Sequence, residues 1–213
     1  MLDKSVPYKH IIMEIEHQDL LAIPEPSLPE GFSFCFFNKG MEQDWARIET
    51  SVLEFETEEE ALAYFQRDYL PFEKQLEQRC LFIKDKEGVS VATATAWFSD
   101  SQFGYQASLH WVAVHPSYQG LGLGKALIQK ANRLFVDTDK GQNVILHTQT
   151  WSHKAVRGYL NLGYHFSTNK ELVLVEKGGE ATSILGNDYK EALEVLKMVF
   201  SKDLLDKIAN TAK

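Results

Sequence analysis

The sequence predicts an α/β fold, and two observations support that prediction. Short β-rich runs alternate with longer segments whose apolar residues recur every three or four positions, the spacing of one helix face. In chain order these stretches follow the pattern βααβββαβαββ across residues 31–177. We expect residues 1–30 to form a short N-terminal arm and residues 178–213 to form a C-terminal helical extension. With 213 residues, 44% of them hydrophobic, the chain can bury one large core.

The first half of the chain contains two predicted helices. Within the arm, YKHIIMEIE predicts a short strand, and the three prolines of IPEPSLPEG exclude regular structure after it. FSFCFF at 32–37 begins the core as a strand. A helix follows, because four apolar residues share one face: Trp45, Ile48, Val52 and Phe55. Thr57 and Glu60 have the spacing of a capping box, so a second helix starts there and is expected to break before Pro71.

The second half of the chain alternates strands and helices. CLFIKD and GVSVATATAWFS form a predicted hairpin around a turn that contains Gly88. The strand ASLHWVAV leads through a glycine-rich stretch into the helix LGKALIQKANRLFVDT, and NVILHTQT forms the next strand. SHKAVRGYLNLG predicts a short helix with Ser152 as its N-cap and Gly163 as its stop. YHFSTN and KELVLVEK are two closing strands, and after a Gly-Gly break residues 188–209 predict one amphipathic helix.

Composition excludes several classes of function. The net charge is −8 and no run of Lys or Arg is present, so neither a nucleic acid nor an anionic membrane is expected as a partner. Cys35 and Cys80 are too few for a disulfide framework and lack metal-ligand spacing, so we expect reduced core cysteines and no metal site. The sequence shows no signal peptide and no apolar run of about 18 residues, which predicts a cytoplasmic protein.

Three glycines alternate with other residues in QGLGLG, at 119–124, between the predicted strand and the long helix. A nucleotide P-loop does not fit, because Gln119 replaces its first glycine and Ala126 replaces its Ser or Thr. A dinucleotide-binding fingerprint fails as well, because Lys125 or Leu127 occupies its third glycine position. A tight turn alone would need only one glycine. Alternate glycines at the start of a helix expose consecutive N–H groups, so we favour a phosphate or pyrophosphate site.

This stretch resembles the GNAT superfamily of acyl-CoA-dependent N-acyltransferases. The family motif [QR]-x-x-G-x-[GA] is matched by Gln119, Gly122 and Gly124. The preceding pattern V-x-P-x-x-[QR]-G is matched at Val114, Pro116 and Gly120. The resemblance extends over about residues 32–177 and includes the order of the elements. It implies a mixed, mostly antiparallel central sheet flanked by helices, with acetyl-CoA as cosubstrate.

The resemblance also implies where the cosubstrate binds. Main-chain N–H groups of the glycine stretch would hold the pyrophosphate: Gln119, Gly120, Leu121, Gly122, Leu123, Gly124 and Lys125. The pantetheine arm would pair with the preceding strand at Trp111, Val112, Ala113 and Val114. Two phosphates gain most from donors that are already fixed in place, which agrees with this assignment. Where many members have an asparagine, this chain has Ser152, which could contact the cosubstrate or only cap its helix; we favour the cap.

Acetyl transfer requires a deprotonated amine, a stabilised oxyanion and a protonated leaving thiolate. In the family the acid is a tyrosine within A-[IV]-x-x-Y-x-x-x-G-[FY], and the segment from Ala155 to Tyr164 matches this pattern. The resemblance therefore makes Tyr159 the catalytic acid, with a core tyrosine as the alternative. A phenol of pKa ~10 suits donation to a thiolate whose conjugate acid has a pKa of ~8.5. The oxyanion donor is expected to be the backbone N–H of Val112.

The sequence specifies the general base less closely. Alternation along ASLHWVAV puts His110 on the face of Val112 and Val114, opposite Trp111. The run HWVAVH is similar to H-x-L-A-V-H of the arylalkylamine branch, in which a histidine is the base or relays the proton. His110 is therefore our candidate, and a structural, half-buried histidine is the alternative. Four rivals could each be catalytic, structural or merely solvated: Glu54, Glu56, Asp68 and His147.

Together these residues predict an acetyl-CoA-dependent N-acetyltransferase that acts on a primary amine by direct transfer in a ternary complex. The acceptor is expected to be a small molecule, and six aromatic residues could line its pocket or pack the core: Trp45, Phe55, Tyr64, Tyr69, Trp97 and Trp151. A regulator that binds acyl-CoA without turnover is the alternative function, and Tyr159 argues against it. The C-terminal helix could dock on the core, which we favour, or on a second copy of the chain to form a homodimer.

Overall fold

The computed structural model describes residues 1–175 and 181–213, and these form nine strands and eight α-helices. The strands are β1 His10–Ile15, β2 Ser33–Phe36, β3 Cys80–Lys84, β4 Ser90–Ser101, β5 Gly104–Val114, β6 Val144–Gln149, β7 His165–Phe166, β8 Glu171–Val175 and β9 Ala181–Gly186. The α-helices are α1 His17–Leu20, α2 Glu42–Ser51, α3 Glu58–Asp68, α4 Glu73–Arg79, α5 Leu123–Thr138, α6 His153–Asn161, α7 Tyr189–Leu196 and α8 Lys202–Thr211. Short 3-10 helices occupy Leu70–Phe72, Pro116–Tyr118 and Thr150–Ser152.

The chain forms two compact units whose segments alternate along the sequence. The first unit contains Met1–Leu2, Pro24–Trp97 and His110–Leu134. The second contains Asp3–Ile23, Phe98–Leu109 and the described residues from Phe135 onward. Boundaries between the units fall within β4, β5 and α5, so each of these elements contributes to both units. The units are therefore not two consecutive domains.

The first unit combines antiparallel strands with the helices α2 to α4. Strand β3 lies between β2 and β4, so that Phe82 is opposite Cys35 on one side and Thr93 on the other. The apolar face predicted for α2 places Trp45 and Ile48 fully inside the core. Burial of an apolar side chain of this size stabilises the fold by about 1.5–3 kcal/mol. This face of α2 is therefore held firmly against its neighbours.

The second unit has β1 in the middle of its strands. Strand β1 is antiparallel to β6 on one edge and to β7 on the other, so that Met13 lies opposite both Leu146 and Phe166. Strand β5 runs parallel to β6 at Ala107 and Ser108, whereas β8 pairs in antiparallel fashion with β9 and with the end of β4. A parallel pairing among antiparallel ones confirms the predicted mixed, mostly antiparallel sheet flanked by helices.

Several predicted boundaries are confirmed. Helix α5 begins and ends at the predicted residues, and β3 and β4 form the predicted hairpin, with Gly88 at a φ of 81°. Helix α3 ends at Asp68, and Pro71 lies in the 3-10 helix that follows, because proline cannot continue the hydrogen-bond ladder of an α-helix. The Thr57 hydroxyl accepts a hydrogen bond from the N–H of Glu60 at 3.2 Å, which confirms the predicted cap.

The C-terminal part of the chain differs from the prediction. Residues 188–209 form two helices rather than one, because Ser201 starts α8 by accepting a hydrogen bond from the N–H of Leu204 at 3.4 Å. Strand β9 precedes these helices and does not follow from the sequence pattern. Leu196 and Ile208 are fully buried, which agrees with an extension that packs on its own chain. The predicted Gly-Gly break and the boundary at residue 177 lie outside the described residues.

The N-cap of helix α6 differs from the prediction. Ser152 occupies the N-cap position of α6, but its side chain makes no capping hydrogen bond, so this part of the prediction is wrong. The preceding 3-10 helix holds Ser152 at a φ of −93° and a ψ of 27°, whereas a capping residue normally has an extended backbone.

Residues 1–30 contain the predicted strand, β1, together with α1; their assignment as a separate arm stays a prediction.

The state of the two cysteines and the lengths of the helices can be compared with what the composition predicts. Cys35 and Cys80 carry free thiols, and Cys80 is buried. Burial raises the pKa of Cys80 to about 12, so this thiol stays protonated and unreactive. None of the helices within residues 1–175 and 181–213 is long and apolar enough to cross a membrane.

Candidate active site

Strand β5 is irregular where the candidate base lies. Trp111 has a φ of 50°, in the left-handed region that a bulky residue seldom adopts. The indole N–H of Trp111 donates to the hydroxyl oxygen of Tyr69 at 3.0 Å, and Nδ1 of His110 lies 2.6 Å from the same oxygen. In a regular strand successive side chains point to opposite faces. The predicted placement of His110 and Trp111 on opposite faces is therefore wrong, because the left-handed residue interrupts the alternation.

The Tyr69 hydroxyl is a protonated group in a buried setting. Its side chain is 4% exposed, and burial raises the pKa of Tyr69 well above its usual range. The hydroxyl can donate to Nδ1 of His110 or accept from it, while it accepts the indole N–H of Trp111. This contact occupies Nδ1, so a base role for His110 would use Nε2. Sequence reasoning named Tyr69 only as one of several aromatic residues, and nothing in the local pattern indicates this bond.

Aromatic rings pack together in the first unit to form what we call the aromatic cluster: Trp45, Phe55, Tyr64, Phe65, Tyr69, Trp97 and Trp111. The ring centroid of Trp111 lies 5.4 Å from Trp45, 5.1 Å from Tyr64 and 5.4 Å from Phe55. Five of the six aromatic residues predicted from the sequence belong to this cluster. The sixth, Trp151, lies in the second unit, where its indole N–H donates to the carbonyl of Val6 at 2.8 Å.

Glu49 is a buried acid beside this cluster that sequence reasoning missed. Its side chain is 1% exposed, and burial raises its pKa well above the usual range. By contrast, the rivals Glu54 and Glu56 are exposed, and the half-buried Asp68 forms an ion pair with Arg67 at 2.5 Å. The spacing could have identified Glu49, because it follows Trp45 by one helical turn on the apolar face of α2.

The glycine stretch forms the predicted turn into α5. Gly120 and Gly122 have φ values of 83° and 82°, which other residues rarely adopt, and open space surrounds the position of an added Cβ at each. The side-chain amide of Gln119 donates to the carbonyl of Val114 at 2.9 Å, which ties the turn to the end of β5. Leu121 is 48% exposed, whereas Leu123 is buried.

The start of α5 offers donors to an anion. The N–H of Ala126 donates to the carbonyl of Gly122 at 3.1 Å. The N–H groups of the residues before it belong to the first turn, where an α-helix supplies no acceptor of its own. A Cβ on Gly124 would lie 3.6 Å from Val114, so this glycine lets α5 approach β5 closely. The turn and the helix start therefore fit a pyrophosphate, and Lys125 is exposed beside them.

The backbone predicted to pair with pantetheine lies in the second half of β5. Trp111, Val112 and Val114 are half-buried, and Ala113 is buried against the aromatic cluster. The N–H of His115, just after the strand, donates to the carbonyl of Val91 at 2.8 Å. The structure brings this strand and the glycine turn together through Gln119, as the predicted cosubstrate site requires.

Tyr159 lies in the second unit, on the buried face of α6. Its side chain is 6% exposed, and its ring centroid lies 5.7 Å from that of Tyr164. The helix ends as predicted, with Gly163 at a φ of 97° and the N–H of Tyr164 donating to the carbonyl of Tyr159 at 3.1 Å. The glycine of the family pattern therefore has a physical reason, because the left-handed backbone after α6 favours glycine at position 163.

The rival base His147 is paired with another histidine. Its Nε2 lies 3.2 Å from Nδ1 of His10, and the two rings stack with centroids 5.0 Å apart. Burial, together with the nearby His10, lowers the pKa of His147 to about 4. An imidazole with so low a pKa is a weak base at neutral pH, so His147 is a poorer candidate than the sequence indicates.

The second unit also contains a polar cavity of about 420 Å³. Carboxyl and amide groups line it, among them Glu14, Gln106, Asn143, Asn169 and Glu171. None of the predicted catalytic or cosubstrate-binding residues lines this cavity. Part of its polar surface is internally satisfied, since the Asn143 amide donates to Glu14 at 2.9 Å. We therefore do not place the reaction there.

Comparison with known proteins places the chain among acetyltransferases. The model of the Acetyltransferase (GNAT) family matches residues 41–164, more than half of the chain. A region of 81 residues is 37% identical to the histone acetyltransferase TAP1 of Glycine max, which covers 38% of this chain and 31% of that protein. A GCN5-related N-acetyltransferase from Sphaerobacter thermophilus superposes with a TM-score of 0.54 at 21% identity, covering 76% of this chain and 49% of the other. A Drosophila protein superposes with a TM-score of 0.56 at 17% identity, with the same coverage of both chains.

The solved structures and the family model support different conclusions. At 21% and 17% identity, the two solved structures support the fold alone. The chain spans about half the length of these structures and about a third of the length of the plant protein. The family match is broader, because residues 41–164 include the glycine turn, His110 and Tyr159. With that match and the confirmed fold, the chain belongs to the GNAT family of acetyltransferases.

Proposed function

We propose that this protein is an acetyl-CoA-dependent N-acetyltransferase that transfers the acetyl group directly to a primary amine in a ternary complex. The observation that carries the proposal is the turn with left-handed Gly120 and Gly122 just before the first N–H groups of α5. Fixed N–H donors and the positive end of the helix dipole both favour a pyrophosphate there. Membership of the GNAT family agrees with this assignment.

The residues around the turn have distinct roles in holding acetyl-CoA, which supplies the activated acetyl thioester. The N–H groups of residues 119–125 would hold the pyrophosphate, and the β5 backbone at 111–114 would pair with the pantetheine arm. Lys125 is exposed and can add a positive charge. Ser152 makes no capping hydrogen bond, which supports the alternative that its hydroxyl contacts the cosubstrate.

Three groups of the chain would move or stabilise charge in the reaction. His110 accepts a proton from the amine, while Tyr69 orients the imidazole at Nδ1. The amine nitrogen then forms the C–N bond while the N–H of Val112 stabilises the oxyanion, and Tyr159 donates a proton to the thiolate as the C–S bond breaks. The protons balance: of the three on the ammonium, one stays in the amide, one leaves through His110, and one replaces the proton of Tyr159.

Two classes of primary amine fit as the acceptor. The aromatic cluster favours a small-molecule amine with an apolar frame, because its half-buried rings offer an apolar surface. A lysine side chain of a protein is the second candidate, favoured by the 37% identity to a protein named as a histone acetyltransferase. Both are primary amines, so the same proton transfers serve either one.

The proposed function is tested by CoA release. The purified full chain is mixed with acetyl-CoA and a panel of amines that includes 2-phenylethylamine, spermidine and a lysine-containing histone peptide. Free CoA thiol that appears only with an amine, together with the acetylated product by mass spectrometry, supports the proposal. Binding of acetyl-CoA by calorimetry without release for any amine would favour the regulator instead. Absence of binding would refute the pyrophosphate site itself.

A further inference from the structure

Helix α2 buries a carboxyl group with one oxygen unsatisfied. Glu49 is almost fully buried, and its Oε1 has no hydrogen-bond partner among the described residues. Burial raises the pKa of Glu49, and the negative charge of Glu54 raises it further. A buried polar group without a partner is costly and rare in native proteins, so each instance calls for an explanation.

A second unsatisfied group lies on the same helix face. Trp45 precedes Glu49 by one turn, and its buried indole N–H has no acceptor in the described part of the chain. Side chains four residues apart on a helix are neighbours. An unsatisfied acceptor and an unsatisfied donor thus project from neighbouring positions of one helix face, where polar atoms of a ligand would be stabilised.

Aromatic rings surround Trp45. The ring centroid of Trp45 lies 5.8 Å from Phe55, 6.2 Å from Tyr64 and 5.4 Å from Trp111. These three neighbours are half-buried, whereas Trp45 is fully buried, so the cluster is accessible from their side. The faces of aromatic rings attract cations, and Tyr64 already has the Arg67 guanidinium 5.3 Å from its centroid.

We infer that Glu49, together with the rings of Trp45, Phe55 and Trp111, binds the ammonium group of the acceptor. The acceptor is then an organic cation on an apolar or aromatic frame. Glu49 releases its proton to solvent when the ammonium binds. An amine that also carries a carboxylate is disfavoured, because it would bring a second negative charge to the ionised Glu49. This inference rests on the proposed function and names the acceptor-binding site for it.

The test compares Glu49→Gln with Glu54→Gln in the full chain. Glutamine keeps the size of the side chain but cannot ionise when the ammonium group binds, and the exposed Glu54 serves as the matched control. With 2-phenylethylamine, Glu49→Gln should raise KM about tenfold or more, whereas Glu54→Gln should change it less than about threefold. The neutral analogue 2-phenylethanol should inhibit the parent and both variants equally, because it offers no charge to Glu49.

The outcomes separate this inference from the proposed function. An unchanged KM in Glu49→Gln overturns the inference, while amine-dependent CoA release leaves the proposed function standing. If no amine releases CoA, the proposed function fails, and calorimetry with 2-phenylethylamine decides the inference: equal affinity of parent and variant, or no binding, overturns it. Should Glu49→Gln not fold, Phe55→Leu is compared with Phe55→Tyr. Phe55→Leu removes the ring and should raise KM, whereas Phe55→Tyr keeps the ring and should not. Equal KM values in the two variants overturn the inference.

Discussion

The Tyr69 hydroxyl lies 2.6 Å from Nδ1 of His110, and both groups belong to the first unit. The same oxygen accepts the indole N–H of Trp111 at 3.0 Å, so two consecutive residues of β5 reach one atom. They can do so because Trp111 has a φ of 50°. The contact orients the imidazole through Nδ1, so the proposed base function uses Nε2.

Tyr69→Phe removes this contact and keeps the ring. We expect kcat to fall about tenfold or more, because an imidazole that is no longer oriented is misplaced for proton transfer. Affinity for acetyl-CoA should change far less than kcat, since Tyr69 lies outside the glycine turn and contacts the predicted pantetheine strand only through side chains. Steady-state kinetics over a range of pH and calorimetry measure the two effects. If kcat and the low-pH limb of the rate profile stay unchanged while only the melting temperature falls, Tyr69 has a structural role alone.

Gly122→Val tests the pyrophosphate site. Affinity for acetyl-CoA should fall about tenfold or more, roughly 1.4 kcal/mol, because a branched residue disfavours the φ of 82° that presents the N–H groups. Gly88→Val is the matched control, since Gly88 has a φ of 81° in the hairpin between β3 and β4. Both variants should lose similar stability, and Gly122→Val alone should lose affinity by calorimetry. Equal affinities would place the pyrophosphate elsewhere.

The parts of this site that the sequence predicts are those with a local physical signature. The glycine turn and the limits of α5 follow from backbone requirements and a helical period that four or five neighbouring residues already reveal. The contact between Tyr69 and His110 joins residues 41 positions apart and depends on the left-handed Trp111, for which no local pattern exists. Glu49 lies between these two cases. Its spacing from Trp45 predicts a position on the apolar face of α2, but a glutamate is usually solvated, so its residue type predicts an exposed position.

Glu49 should make stability depend on pH. Its folded pKa is raised, so the folded chain binds more protons than the unfolded chain above the usual pKa of 4.5. Stability is therefore fully present below that pH and is lost as pH rises through the folded pKa. The loss is about 1.4 kcal/mol for every pH unit that separates the unfolded pKa from the folded one. Glu54, which also raises the pKa of Glu49, and the α-amino group of Met1, which lowers it, stay in both proteins.

Thermal melts of the parent and Glu49→Gln measure this effect. At pH 5 the two melting temperatures should lie close together, and by pH 8 the variant should melt higher than the parent. The melting temperature of Glu54→Gln should change with pH in the same direction as that of the parent, because Glu54 is exposed and its substitution leaves Glu49 in place. A constant difference between parent and Glu49→Gln across this range would contradict a raised pKa.

His110→Ala should remove the low-pH limb of the rate profile, because a protonated imidazole cannot accept the proton of the amine. His147→Ala is the matched control, and it should leave that limb in place. Were His147 the base, the limb would lie near pH 4, where its lowered pKa places its protonation. The pH dependence of kcat/KM with the best amine of the panel separates the two histidines.

Tyr159→Phe decides whether the proposed reaction uses a protein acid. The substitution keeps the ring in its buried position beside Tyr164 and removes only the hydroxyl. Affinity for acetyl-CoA should persist, while turnover should fall by about 10²–10⁴, the usual contribution of a general acid. Tyr164→Phe is the matched control, because it removes a hydroxyl from the neighbouring buried ring.

The leaving group provides a sharper form of this experiment. A thiolate that must gain a proton from Tyr159 departs slowly without it, whereas a thioester with a more acidic thiol can depart unprotonated. The defect of Tyr159→Phe should therefore shrink when acetyl-CoA is replaced by an acetyl thioester of a thiophenol, provided that both proteins remain folded. Parent-like turnover of acetyl-CoA by Tyr159→Phe would show that the phenol is structural. The thiolate would then gain its proton from solvent.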